Sequence, residues 1–228
     1  MIVIATHEGR QYIHNQLYSW HRYGTNGHTV VVVETGASSR DYLDYLRVLS
    51  TMDWSFPLKV LSTPYVGYDT GAYLHAYREY PAEQTMLFCH DSMEVKRPGT
   101  MTAFHSRLLN HGAGCVPWLV FRLNSYENEE QWNFVNQFEP DPSIHPKPGF
   151  GIFGPIFYTT RTTLQQLPFT QSGIYPTNKN QQEAMERGWA ATFDRAGVPM
   201  VSLEGDFYEN YALADTYSYF KKHLPKRQ

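Results

Sequence analysis

Cysteine is nearly absent from this sequence: Cys89 and Cys115 are the whole supply in 228 residues. Two isolated thiols make neither a disulfide framework nor a cysteine-based metal site, so a reducing compartment is expected. Charge is sparse as well, at 18% Asp, Glu, Lys and Arg, and it sums to a formal −3. That balance excludes the electrostatic footprint of a nucleic-acid binder. No apolar run approaches the ~18 residues of a spanning helix, and no secretory leader precedes the first apolar run. The expected location is cytoplasmic, with peripheral attachment to a membrane left open. The only concentrated basic run, Lys221, Lys222, Lys226 and Arg227, reads as a solvated tail. The chain has no internal repeat, no Gly-x-Ser-x-Gly elbow of a serine hydrolase and no convincing linker. One domain over residues 1–228 is expected, with halves at 1–98 and 99–228.

What the sequence does have is a 42% apolar fraction, enough for a sizeable core, and 15% aromatics with 17 Tyr and 5 Trp. Tyr and Trp join an apolar face to a polar tip. They suit an amphipathic ligand such as a sugar ring, although core packing explains any single one equally well.

Short apolar runs and helical patterns alternate through the first hundred residues. Residues 2–5 read as a strand. Ile13, Leu17 and Trp20 then fall on one helical face. Residues 29–33, TVVVV, read as a strand buried on both faces. Ser38 and Ser39 offer N-caps for a helix carrying Tyr42, Leu43, Leu46 and Leu49. Residues 58–61 and 86–89 are further strands, separated by a helix that Asp69 can cap. This alternation predicts an α/β fold with a mostly parallel central sheet between helical layers.

The second half is less regular. A helix is expected over 99–109, a strand over 116–122 and loop over 124–149. A strand over 152–160 is broken at Gly154 and Pro155, and a helix over 181–195 stops at Gly197. A short strand at 200–203 and a helix over 211–223 end the chain.

Ligands of parallel α/β sheets bind at the carboxyl ends of the strands. Four successive strand ends here carry polar groups: Thr6, His7 and Glu8; then Glu34; then Tyr68 and Asp69; then His90, Asp91 and Ser92. An acid in such a place is often only a helix cap, but four sets converging on one crevice are harder to explain that way.

In the order of these segments the chain resembles the GT-A glycosyltransferases, in particular family 2 and its rhamnosyltransferase-like branch. IVIATHEG matches the opening strand and turn, VVVVETGASSRD the second, YVGYDTGAYLHAY the third, and FCHDSMEVKRPG a variant of the metal and diphosphate motif. The resemblance spans roughly residues 1–200. It implies a three-layer α/β/α sandwich and transfer of a hexosyl or deoxyhexosyl group from a UDP- or dTDP-type sugar nucleotide. The acceptor would be a hydroxyl of a glycan or another molecule, and the reaction inverting. Residues 1–98 would bind the donor through Thr6, His7, Glu8, Glu34, Tyr68, Asp69, His90 and Asp91, with Glu34 on the base. Residues 99–228 would bind the acceptor.

The chain departs from the family at the metal motif, where HDS supplies one acid in place of two. Mg²⁺ or Mn²⁺ keeps several waters, so Asp91 and the substrate diphosphate can suffice, and Mn²⁺ accepts an imidazole such as His90. His223 and His145 are further candidate ligands. Transfer also needs a carboxylate to take the acceptor's proton. Counting back from Ala196-Gly197, as the resemblance directs, reaches Glu186, with Glu183 as alternate; either can instead be a first-turn acid answering the helix dipole. Gly154 and Trp189 are the acceptor-side candidates. A sugar nucleotidyltransferase would want a Gly-rich loop with basic residues after the first strand, which THEGRQY matches poorly. A noncatalytic carbohydrate- or nucleotide-binding protein is allowed by the aromatics but leaves the four polar strand ends unexplained.

Overall fold

A computed structural model describes residues 1–36, 38–63, 68–121, 128–138, 151–207 and 217–223. The chain opens with β1 (Ile2–Thr6), α1 (Arg10–Tyr23), β2 (Val30–Glu34), α2 (Arg40–Ser50), β3 (Leu58–Ser62), α3 (Tyr68–Glu79) and β4 (Thr85–His90). The four strands pair in parallel, and every residue of β1 and β2 is buried. Continuous apolar runs are what a sheet covered on both faces requires. Successive side chains of β1 point to opposite faces. Ile2 and Ile4 pack with Ile13, Leu17 and Trp20 of α1 and Tyr42 and Leu46 of α2, while Val3 and Ala5 pack with Ala72, Tyr73 and Ala76 of α3. The Ser39 side chain caps α2 by accepting from the Tyr42 amide, as its place before the apolar stripe predicts. Asp69 lies inside the first turn of α3 rather than at its cap.

The rest of the chain adds β5 (Met93–Val95), α4 (Thr100–Asn110), β6 (Cys115–Pro117), β7 (Val120–Phe121), α5 (Glu129–Asn136), β8 (Gly151–Ile152) and β9 (Phe157–Thr160). It ends with α6 (Arg161–Gln166), α7 (Pro168–Ser172), α8 (Lys179–Arg195), β10 (Asp206–Phe207) and β11 (Phe220–Lys222). The main sheet has six strands in the order β3-β2-β1-β4-β9-β6, with β9 antiparallel to both neighbours. Two small sheets, β10-β7-β8 and β11-β5, flank it. Helix α8 stops where its glycine predicts. Gly197 takes φ 65°, and the Val198 amide bonds back to the Phe193 carbonyl.

Four expectations for the second half, over 124–149, 116–122, 200–203 and 211–223, need correction. The 124–149 segment, expected as loop, contains α5, capped by the Asn128 side chain and burying Phe134 and Val135. The strand expected over 116–122 splits at Trp118, whereas 152–160 breaks at Gly154-Pro155 as expected, into strands of two different sheets. At 200–203 only an isolated bridge forms, Met200 to Cys115. The helix expected over 211–223 is contradicted by β11, where Phe220 enters the core against Trp20, Phe104 and Trp118; residues 208–216 lie outside the described residues. Pairing with β5 at the sheet edge overrode a helical spacing of aromatics.

Candidate functional site

At the carboxyl edge of β1 and β4 lies a cleft of about 530 Å³. His7, Glu8 and Gly9 after β1, Tyr12 of α1 and His90, Asp91 and Ser92 at the end of β4 line one part of it. Asp69 of α3, Gly154-Pro155 between β8 and β9, Gln182, Glu183 and Glu186 of α8, and Lys222 and His223 of β11 and its end complete it. The pairing of β4 with β9 brings Gly154-Pro155 to the edge where β4 ends, and the pairing of β11 with β5 brings Lys222 and His223 there.

Asp91 is fixed from below. The Thr6 hydroxyl donates to its Oδ2 at 2.7 Å and the His7 amide approaches the same oxygen at 3.4 Å. Because that hydroxyl is already donating, the Tyr42 phenol donates to it in turn. Gly9 packs so closely on the Asp91 carboxylate that a Cβ there would collide with it. Burial pushes the Asp91 carboxyl up to about 6, against the pull of the Thr6 and His7 hydrogen bonds. His90 is 8% exposed, and its Nδ1 shares a 2.8 Å hydrogen bond with the Ser92 hydroxyl. Burial, and then the Lys222 ammonium, hold that imidazole well below its ordinary value, so it is neutral.

On α8, Glu186 Oε1 accepts from the Gly154 amide at 3.1 Å. Burial raises this carboxyl to about 6, with Lys222 opposing. Glu183, three residues earlier, is more exposed and pairs with Lys179 at 3.4 Å. Gly154 has φ 58°, a conformation that strains any residue with a Cβ. A Cβ there would also lie 2.9 Å from His90 Nε2 and 3.3 Å from Lys222 Nζ.

Asp69 faces both sides. Burial, and then the negative charges of Asp91 and Glu186, push its carboxyl from 3.8 to about 7, with Lys222 opposing. A carboxyl whose folded value is raised binds its proton more tightly folded than unfolded, so its ionisation weakens the fold as pH rises from about 4 to 7. Asp69→Asn is therefore expected to melt higher than the parent at pH 8 in the ligand-free protein. The difference should disappear below pH 4, and thermal melts across that range check it.

Other expected site residues lie elsewhere. Glu34 is 1% exposed and off the cleft, its two oxygens accepting from the Ser38 amide at 2.9 Å and the Ser62 hydroxyl at 2.8 Å. Tyr68 opens α3 with φ 48° and does not line the cleft. Trp189 is a correction: it is fully buried among Phe157, Phe169 and Phe193, its indole NH on the Thr70 hydroxyl, and forms no acceptor wall. Aromatic spacing on an α8 face turned to the core explains it. His145 lies outside the described residues. His223 is on the cleft, its Nε2 2.5 Å from Glu94 and its ring 5.8 Å from that of Tyr12. Lys222 is the second correction. It was expected on a solvated tail, yet it enters the cleft, and the period-2 alternation from Phe220 was the signal for it.

Among the described residues, no three or more His, Cys, Asp or Glu side chains form a ready metal cage. The lining nevertheless carries five carboxyls, Glu8, Asp69, Asp91, Glu183 and Glu186, against one ammonium. A cleft so acidic repels a diphosphate unless a cation joins it. The donor set fits a hard divalent ion that keeps its waters and shares substrate oxygens. Asp91 and His223 are lining residues that could contribute ligands to it, and a carboxylate on the imidazole, as Glu94 is on His223, is the usual support for a metal-binding histidine.

The chain matches no protein-family profile and no curated protein. It is similar in structure to S. aureus TarS 1–349 in complex with UDP, at 12% identity and TM-score 0.56 over 98% of this chain. Similarity of the same order relates it to GalNAc-T7 with UDP, GalNAc and Mn²⁺, at 12% identity and TM-score 0.58 over 91% of the chain. Mannosyltransferase PcManGT from Pyrobaculum calidifontis, in complex with GDP-Man and Mn²⁺, matches 88% of the chain at 16% identity and TM-score 0.53. The chain spans 60%, 43% and 53% of those three structures. The mostly parallel six-stranded sheet between two helical layers is shared with these proteins, and the chain has the GT-A fold.

Proposed function

We propose that this chain is a glycosyltransferase that moves a sugar from a nucleoside-diphosphate donor to an acceptor hydroxyl, with inversion and with the help of Mn²⁺ or Mg²⁺. The observation that carries the reading is that Asp91 and Glu186 line one cleft at the carboxyl edge of the sheet. The structural relatives that hold UDP or GDP-Man support a nucleotide-sugar donor. The motif order favours the family 2, rhamnosyltransferase-like type with a UDP- or dTDP-sugar. The whole of 1–228 then serves as one catalytic domain, acting in the cytoplasm or at a membrane surface; among the described residues no helix is long and apolar enough to cross a membrane.

In this reading Glu186 is the base. The acceptor oxygen bonds to the anomeric carbon, the bond from that carbon to the diphosphate oxygen breaks with its electron pair, and the acceptor proton passes to Glu186. The Gly154 amide holds the Glu186 carboxylate in place, and its acidity near 6 keeps it ionised at neutral pH. Glu183 is the weaker candidate because Lys179 and solvent already occupy it. Asp91 and His223 would hold the divalent ion, which when bound neutralises charge growing on the leaving diphosphate. Thr6 and the His7 amide keep Asp91 oriented.

Thermal melts with UDP, dTDP and GDP, each with and without Mn²⁺, test the site. One nucleotide is expected to raise the melting temperature only when Mn²⁺ is present. No shift with any of them would sink the reading.

A further inference from the structure

Tyr42 does not line the cleft. It is fully buried on α2, and its ring belongs to the apolar cluster of Ile2, Ile4 and Leu46. A phenylalanine would fill that space equally well. The hydroxyl is the part the core does not need, since burying one is unfavourable until it is hydrogen-bonded. Here it bonds to the Thr6 hydroxyl, itself 1% exposed, which in turn donates to Asp91 Oδ2 at 2.7 Å. The Gly9 amide also bears on the phenol, and Gly9 is packed against the same Asp91 oxygen. One phenol thus braces both the end of β1 and the turn after it, the two segments that hold the carboxylate. The Thr6, His7 and Gly9 contacts all fall on Oδ2, and Oδ1 is the oxygen they do not take.

We infer that Tyr42 is a positioning residue for the divalent ion: through Thr6 it fixes the Asp91 carboxylate, so that one acid binds the ion where two are usual. The inference rests on the proposed function, in which Asp91 holds that ion. A carboxylate free to rotate loses conformational freedom when it takes up a cation, whereas one already held in place does not. A hydroxyl that itself accepts a hydrogen bond is also a stronger donor, so the phenol tightens the bond from Thr6 to Asp91. Partners behind a ligand act on a metal through that ligand.

Binding of Mn²⁺ to the full chain with UDP, dTDP or GDP, followed by the EPR signal of the free ion, tests this in Tyr42→Phe, Thr6→Val, the double variant and Thr6→Ser. Tyr42→Phe is expected to weaken Mn²⁺ binding by about tenfold, although the phenol lies off the cleft, and Thr6→Val by at least as much. The double variant should match Thr6→Val within about twofold, because both residues act along one chain of bonds. Thr6→Ser, which keeps the hydroxyl, should retain the parent affinity. Parent affinity in Tyr42→Phe overturns the inference and leaves Tyr42 a core residue, whatever its melting temperature. Losses that add in the double variant overturn it too, since Tyr42 would then act by another route. If the parent binds no Mn²⁺ with any of these nucleotides, the proposed function fails and this inference with it.

Discussion

Glu186→Gln is expected to lower the turnover number by about 10²–10⁴-fold while donor affinity stays within about twofold. The amide keeps the shape and can still accept from the Gly154 amide, so the fold and the cleft survive. What it lacks is the basic oxygen that receives the acceptor proton. Burial places the parent carboxyl near 6. Parent turnover should therefore fall as pH drops through about 6, because the protonated acid is no base. Steady-state rates from pH 5 to 8, set beside donor binding measured separately, check both parts. Equal loss of binding and turnover would make Glu186 a donor contact instead, and full activity would move the base to Glu183.

Asp91→Asn is expected to abolish the Mn²⁺-dependent part of nucleotide binding. At a nucleotide concentration one hundred times its Kd, the parent gains about 2.7 kcal/mol of stability, and the variant should gain none. Asparagine retains an oxygen for the Thr6 hydroxyl and the His7 amide, so the loss reports charge rather than local collapse. The size of the effect follows from the acidity of the cleft. With five carboxyls around one ammonium, a diphosphate without its cation meets repulsion, and Asp91 is the carboxylate best fixed to hold that cation. Calorimetry with and without Mn²⁺ measures the difference, and retained metal-dependent binding would place the ion elsewhere.

The first half of the molecule was legible because its elements are encoded locally. TVVVV reads as a doubly buried strand, and Val30–Val33 form one; Ser39 sits where a helix cap is expected. Asp91, Asp69 and the His7-Glu8 turn follow from strand ends alone, since a parallel sheet delivers such ends to one edge. Glu186 was reachable through a resemblance and a count along α8. The rest depends on long-range pairing that leaves little local trace. Lys222 and His223 reach the cleft only because β11 adds to β5 after a long excursion of the chain. Trp189 shows the opposite failure. Its spacing with Phe193 fits a ligand wall as well as a core, and only the packing of α8 on β9 decides. Glu34 ends its strand as expected, yet its oxygens tie β2 to Ser62 of β3 and to the start of α2. A carboxylate at a strand end gives no sign in sequence of which neighbours will claim it.

The most direct test of the central claim is the release of nucleoside diphosphate from a panel of UDP-, dTDP- and GDP-sugars by the purified chain with Mn²⁺. At least one donor should be consumed, slowly with water and faster once an acceptor is supplied, and Asp91→Asn should stop it. No release from any donor, together with no nucleotide binding, would contradict the account.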